Sequence, residues 1–403
     1  MALWRDDRIV PVLMYHSIGP RRPGWAFAEL SEGVASFAGT LEALHADGYR
    51  SVGLSELYDH MAGRRRLDRR SVVITFDDGY LDNWVHAVPL LRQYGMQATV
   101  YVTPEFVEDS TSVRPQSPVP DASGIDCDGF MSWGELAAAQ TEGVLDVQSH
   151  AMTHTWYFSG PRLVDVHRPR VPDPHPWLAW NARPDRKPYY LSENQQPYVP
   201  WGYPVFEHEK SLVVRRFEPD EMAVAVIVKW VEEQGGAGFF DQADWRGALT
   251  GRFPELAGAG SVPGRFETPD EQRARVFGEL SQSRAILEER LGKPVRFFAW
   301  PGGGVDADVV ALAREVGYLS WTLSSWQEKD KRNRPGTDPS GIKRVSGSGS
   351  AYWRGRPVGR DDPWWVIQRV RAHQGDVASR LRIAWRKLRR AGRADASAGG
   401  QGA

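Results

Sequence analysis

Strand-like and helix-like segments alternate through the first 155 residues, and this rhythm limits the fold more than any other feature. Ile9 to Met14 reads as a buried strand, ended by Tyr15-His16-Ser17. Ser36 to Ala46 has helical spacing, with Phe37, Leu41 and Leu44 on one face. A short strand at Ser51-Val52 and a helix from Ser55 to Met61 come next. Val72 to Thr75 reads as a strand, Asn83 to Tyr94 as a helix closed by Gly95, and Ala98 to Val102 as a strand. Ser132 to Gln140 then predicts a helix and Leu145 to Gln148 a strand. The rhythm returns after Thr268-Pro269-Asp270-Glu271, where Thr caps, Pro takes the first turn and the acids face the helix dipole. That helix runs to about Leu291; strand Val295 to Ala299, helix Asp306 to Glu315 and strand Tyr318 to Leu323 follow. Such an order predicts a parallel sheet with helices outside, either open or closed into a barrel.

Two stretches depart from the rhythm. Residues 156–267 are rich in Pro and aromatics up to Phe206 and then hold one clear helix, Pro219 to Glu233. They read as an insertion between a first part of the fold, 1–155, and a second part, 268–350. Residues 351–403 form a basic helical tail, whose end from Ala391 is low-complexity and is expected to be disordered. In that tail Arg380, Arg382, Arg386, Lys387, Arg389 and Arg390 interleave with Leu381, Ile383, Trp385 and Leu388. The pattern fits either a solvated helix packed on the domain or a peripheral helix on an anionic membrane surface.

Composition narrows the partners. The chain of 403 residues is 41% apolar and 25% charged, with a net charge of -1, so nucleic acid is not expected as a partner. Its one cysteine, Cys127, excludes an internal disulfide and any multi-cysteine zinc site. The first residues lack the apolar core of a signal peptide, and no stretch reaches the roughly 20 apolar residues of a membrane span. The expectation is a cytoplasmic protein, at the inner membrane face if the tail docks there, with no obligate protein partner. Seventeen Trp is a heavy load, and aromatic faces serve both cores and sugar rings.

The chemistry lies in two short words at strand ends. Thr75-Phe76-Asp77-Asp78-Gly79 supplies adjacent carboxylates, and Ser149-His150-Ala151-Met152-Thr153-His154 supplies two imidazoles spaced i, i+4. In a parallel α/β fold the C-terminal strand ends line the active site. Two His and one Asp can hold a divalent cation with positions left open, while the second carboxylate takes a proton from an acidified water. A metal-assisted hydrolase follows.

These words resemble the polysaccharide deacetylases, carbohydrate esterase family 4, with the NodB homology domain. Asp77 to Gly79 sits in a full match to that family's first motif; His150 to His154 matches the second, with Ala151 in place of its hydroxyl residue. The resemblance implies a distorted (β/α)7 barrel, Asp77 as general base, Asp78, His150 and His154 as metal ligands, and one divalent ion, usually zinc. Trp300-Pro301-Gly302 resembles the third motif's turn and implies substrate-binding residues there. The Arg that this motif commonly supplies to orient the base is missing from Phe297 to Gly303, and the late Leu-x-His that gives the general acid has no match. The opening Pro11-Val12-Leu13-Met14-Tyr15-His16 is similar to the poly-N-acetylglucosamine deacetylase branch, whose strand order is permuted. That likeness makes His16 the candidate for the general acid or for binding the anionic intermediate.

The implied reaction is metal-dependent removal of N-acetyl groups from an amino-sugar glycan. Two alternatives stand beside it: a cytoplasmic deacylase of a lipid-linked or nucleotide-linked sugar, and a sugar-binding pseudoenzyme. Aromatics that follow His154 closely, among them Trp156, Trp177, Trp180, Tyr190 and Trp201, are expected to supply a sugar-stacking wall or the insertion's own core.

Overall fold

The computed structural model describes residues 8–117, 125–256, 262–323 and 332–399. Its centre is a ring of parallel strands: Val12–Tyr15 (β1), Ser71–Phe76 (β2), Ala98–Val102 (β3), Leu145–Ser149 (β4), Phe297–Phe298 (β5), Ser320–Leu323 (β6), Gly341–Lys343 (β7) and Val345–Ser346 (β8). Each pairs in parallel with the next in sequence from β1 through β7. β7 and β8 are separated by Arg344 alone; β7 pairs with β6, and β8 pairs back onto β1. One nearly continuous segment thus closes the barrel, and the distorted seven-stranded barrel read from the sequence is present.

Alternation along the strands sorts the side chains into layers. Val12, Val73, Tyr101, Phe297 and Ile342 form one buried cluster with Leu54, Leu57 and Met61 of a short helix. Leu13, Ile74, Val100 and Phe298 belong to the main core. There they meet helices Val34–Ala46 (α1), Val88–Gln93 (α2), Trp133–Thr141 (α3), Pro269–Leu291 (α4) and Ala307–Val316 (α5). All residues of β2 and β3 are buried, as strands covered on both faces require.

Several boundaries differ from the sequence reading. The helix expected over Asn83 to Tyr94 opens with a wide turn at Asn83–Ala87 before α2. Pro89 has no N–H to donate there, and Asn83 Nδ2 is held by the His16 carbonyl at 2.8 Å. The strand expected over Val295 to Ala299 shortens to β5, just after Pro294.

The inserted residues carry more structure than one helix. Trp156–Val166 pairs antiparallel with Pro204–Lys210, and helices Trp177–Ala182, Glu221–Glu233 and Trp245–Arg252 surround this hairpin. Their apolar side chains form a second core that includes Trp25, Tyr80, Phe106 and Phe130 from the barrel side. Glu221–Glu233 is capped by the Asp220 carboxylate, which accepts from Ala223 N.

The tail is not a free appendage. Helix Pro363–His373 (α6) buries Val366, Ile367 and Val370 in the main core. The following helix, Val377–Gly399 (α7), packs on α6. It continues past Ala391, where disorder was expected, because nothing before Gly399 breaks it; residues 400–403 lie outside the described residues. Among the described residues, no helix is long and apolar enough to cross a membrane.

Candidate active site

The site residues all follow strand ends at one mouth of the barrel. The register pairs Tyr15 of β1 with Phe76 of β2, so the next residues, His16 and Asp77, become neighbours. His16 Nε2 lies 3.8 Å from Asp77 Oδ2. β4 hands the chain to His150, whose N–H donates to Val102 O at 2.9 Å. Thr103 Oγ1 donates to the His150 carbonyl at 3.0 Å.

Asp78, His150 and His154 converge. Their ligand atoms all lie within 4.8 Å of one another. Asp78 Oδ1 is 3.2 Å from His150 Nε2 and 3.3 Å from His154 Nε2. Yet this buried oxygen has no well-formed hydrogen bond, an expensive condition for a desolvated carboxylate. A cation at the point of convergence would satisfy it, so the residues fit the metal the sequence implied. His150 Nδ1 faces the Ala299 carbonyl at 2.8 Å, which leaves Nε2 free as a ligand.

The backbone is forced here. Asp78, Ala151 and His154 have φ of 73°, 62° and 44°, in the left-handed region that costs a side chain about 1–3 kcal/mol. Gly79, at φ 78°, lets the turn after Asp78 close. Polar anchors hold the second loop in this shape. Thr153 Oγ1 donates to Glu279 Oε2 at 2.7 Å. Its carbonyl accepts from Lys187 Nζ at 2.8 Å, and Lys187, fully buried, also pairs with Glu105. A lysine from the inserted segment thus supports a loop that carries two candidate ligands.

Asp77 has a partner that motif reading missed. Arg344 donates from two guanidinium nitrogens to its two oxygens, at 2.6 and 2.8 Å. No Arg occurs between Phe297 and Gly303; this one arrives from the segment that closes the ring, over the Tyr101 ring at 5.7 Å. The only sequence signal was the basic pair Lys343-Arg344 between Ile342 and Val345. Burial opposes ionisation of Asp77, but Arg344 outweighs it and holds the carboxyl below its ordinary range. Asp78 is likewise lowered against burial by His154 and His150. Burial pushes the His154 imidazole down to about 4, toward its neutral, ligating form. At His150 burial acts the same way, but the nearby Asp78 and Asp77 carboxylates raise it.

These groups open onto a cavity of about 640 Å3. His16, Asp77, Asp78, His150, His154 and Arg344 line its floor, and its walls are mainly apolar. Trp300 and Gly302 line it as well; Pro301 is buried and is not among the lining residues. Of the aromatics after His154, Trp156, Trp180 and Tyr190 reach the cavity. Phe27, Tyr80, Phe106 and Phe130, unremarked in the sequence, complete the wall. Trp177 instead packs against Phe158 and His208, and Trp201 stacks on His167 at 4.9 Å.

Comparison with known proteins agrees with this geometry. Residues 64–173, which hold both motifs, match the family described as polysaccharide deacetylase. The Bacillus subtilis (strain 168) protein YxkH, which carries the polysaccharide deacetylase name, is 34% identical over 93 residues. That segment is 23% of this chain and 31% of the relative, so the likeness spans under a third of its length. The deacetylase domain of BpsB from Bordetella bronchiseptica is 19% identical, covers 85% of this chain and 96% of its own, and superposes with a TM-score of 0.51. A de-N-acetylase from Aggregatibacter actinomycetemcomitans is 15% identical over 83% of this chain and 94% of its own, with a TM-score of 0.49. Over residues 64–173 the chain is thus similar to the polysaccharide deacetylases, and it shares its barrel fold with the BpsB deacetylase domain.

Proposed function

We propose that this protein is a metal-dependent hydrolase that removes N-acetyl groups from an amino-sugar glycan. The observation that carries the reading is the meeting, in one cavity, of a three-residue cation site and a carboxylate gripped by an arginine. A divalent ion held by Asp78, His150 and His154 would polarise the acyl carbonyl and make a water more acidic. Zinc suits the two-imidazole, one-carboxylate set.

The chain's own groups do the rest. Asp77 removes a proton from the attacking water, and Arg344 fixes its two oxygens so that one faces the reacting centre. His16, beside Asp77, delivers a proton to the departing nitrogen. Trp156, Trp180 and Tyr190 present ring faces suited to a sugar's C–H face and exclude water from the reaction. The indole N–H groups of Trp180 and Trp300 are buried without partners, and both rings line the cavity.

A second substrate class is a sugar carried on a lipid. The apolar cavity walls favour it, as does the tail described below. The pseudoenzyme reading loses one of its grounds, since Arg344 occupies the role of the missing motif arginine. Acetate release from N-acetylglucosamine oligomers and from acetylated sugar-lipids, with and without added zinc after chelation, tests the proposal. Release that needs the metal supports it. No release from any acetylated sugar, in protein that binds zinc, would contradict it.

A further inference from the structure

We propose that the outward face of α7 docks on an anionic lipid bilayer. The helix has two unlike sides. On one, Ser379 is buried and Ile383 packs beside Trp364 and Trp365. Arg386 and Arg390 turn the same way and pair with Asp362, Arg386 at 2.8 Å. Arg386 also stacks 4.1 Å from the Trp364 ring. This side fastens α7 to the protein.

The other side is apolar and uncovered. Val377, Leu381, Trp385 and Leu388 are 62%, 67%, 59% and 56% exposed. At 100° per residue these four fall within one narrow stripe. Arg382 and Arg389 border the stripe on one edge, Arg380 and Lys387 on the other. No acidic residue occurs between Val377 and Ala391. Arg389 lies over the Trp385 ring at 5.0 Å.

An apolar stripe between two basic edges matches the layering of a bilayer surface. Leu and Trp enter the acyl boundary, while the long cationic side chains reach back to lipid phosphates. The charge rules against a second copy of the chain, because facing stripes would oppose basic edges to basic edges. Polyanions without an apolar phase would leave the stripe wet. α7 packs on α6, and α6 carries Arg369, which lines the catalytic cavity. Docking would therefore hold the cavity close to the lipid surface. This inference is independent of the reaction proposed above.

The full chain, mixed with vesicles of phosphatidylcholine alone or with one-third phosphatidylglycerol, gives the test by co-sedimentation. Anionic vesicles are expected to bind at least tenfold more protein, with the excess lost at high salt. The double variant Leu381→Glu/Trp385→Glu should lose that binding with an unchanged circular dichroism spectrum and melting temperature. Both residues are exposed, so folding is not at risk. Replacing Arg380, Arg382, Lys387 and Arg389 with Gln should remove the preference for anionic lipid. Failure of the wild-type chain to bind anionic vesicles at low salt would overturn the proposal. So would binding that survives the double variant, or a dimer in solution that the double variant abolishes. The readout contains no catalysis, so its failure is distinguishable from failure of the deacetylase reading.

Discussion

Arg344 holds both oxygens of Asp77, at 2.6 and 2.8 Å, from the residue at which the barrel closes. The closing segment pairs with β6 before this residue and with β1 after it. Barrel closure and orientation of the candidate base are therefore one structural event. A planar guanidinium meeting a carboxylate edge-on is not replaceable by a point charge.

Arg344→Lys should keep the fold and the bound metal but lower kcat by about 10- to 100-fold, since general-base catalysis contributes roughly 100- to 10,000-fold and geometry governs it. Steady-state kinetics with metal analysis checks this. Unchanged kcat would show that Asp77 needs no such partner.

Lys187→Met should weaken metal binding. The lysine supports the Thr153 carbonyl, one residue before His154, and its loss leaves Glu105 unpaired. Partners that brace ligands typically tune metal affinity by about 10- to 100-fold. Competition with a chromophoric chelator measures it, and an unaltered affinity would confine Lys187 to stability alone.

The aromatics divide into wall and core. Trp156→Ala and Trp180→Ala are expected to raise KM, Trp156 with little loss of stability because it is only partly buried. Trp177→Ala should instead cost about 3–5 kcal/mol, as a buried Trp in the second core does, with KM unchanged in the folded fraction. Denaturant melts and substrate saturation curves on the three variants separate the two roles.

Sequence made the base and ligand candidates legible because each word is contiguous and sits at a strand end. The strand–helix rhythm likewise predicted a parallel sheet with helices outside, and the resemblance carried by the two words predicted that it closes into a barrel. Arg344 escaped notice because its partner is 267 positions away and meets it only through ring closure, a long-range pairing that local pattern does not encode. The fate of Trp177 and Trp180 shows the same limit. Three positions apart on one short helix, they face different surroundings, and only the hairpin packed against that helix decides which reaches the cavity. Tail composition suggested disorder beyond Ala391, but Ala-rich sequence is also helix-favouring, and the helix continues.

Cys127 should be unreactive at ordinary pH. Burial, with Asp82 nearby, pushes its thiol up to about 11, despite Arg22 beside it. The reactive thiolate is the form above that value, so at pH 8 only about one molecule in a thousand carries it. Alkylation by iodoacetamide should be slow at pH 8 in folded protein and fast after denaturation. Rapid modification of the native chain would contradict the burial.

The central claim is that Asp77 is the base and Asp78 with the two histidines the metal site. Asp77→Asn, loaded with zinc, tests it most directly. The account predicts zinc bound one per chain with wild-type affinity and acetate release from N-acetylglucosamine oligomers lowered at least a hundredfold. Full acetate release by that variant, or loss of its zinc, would contradict the assignment.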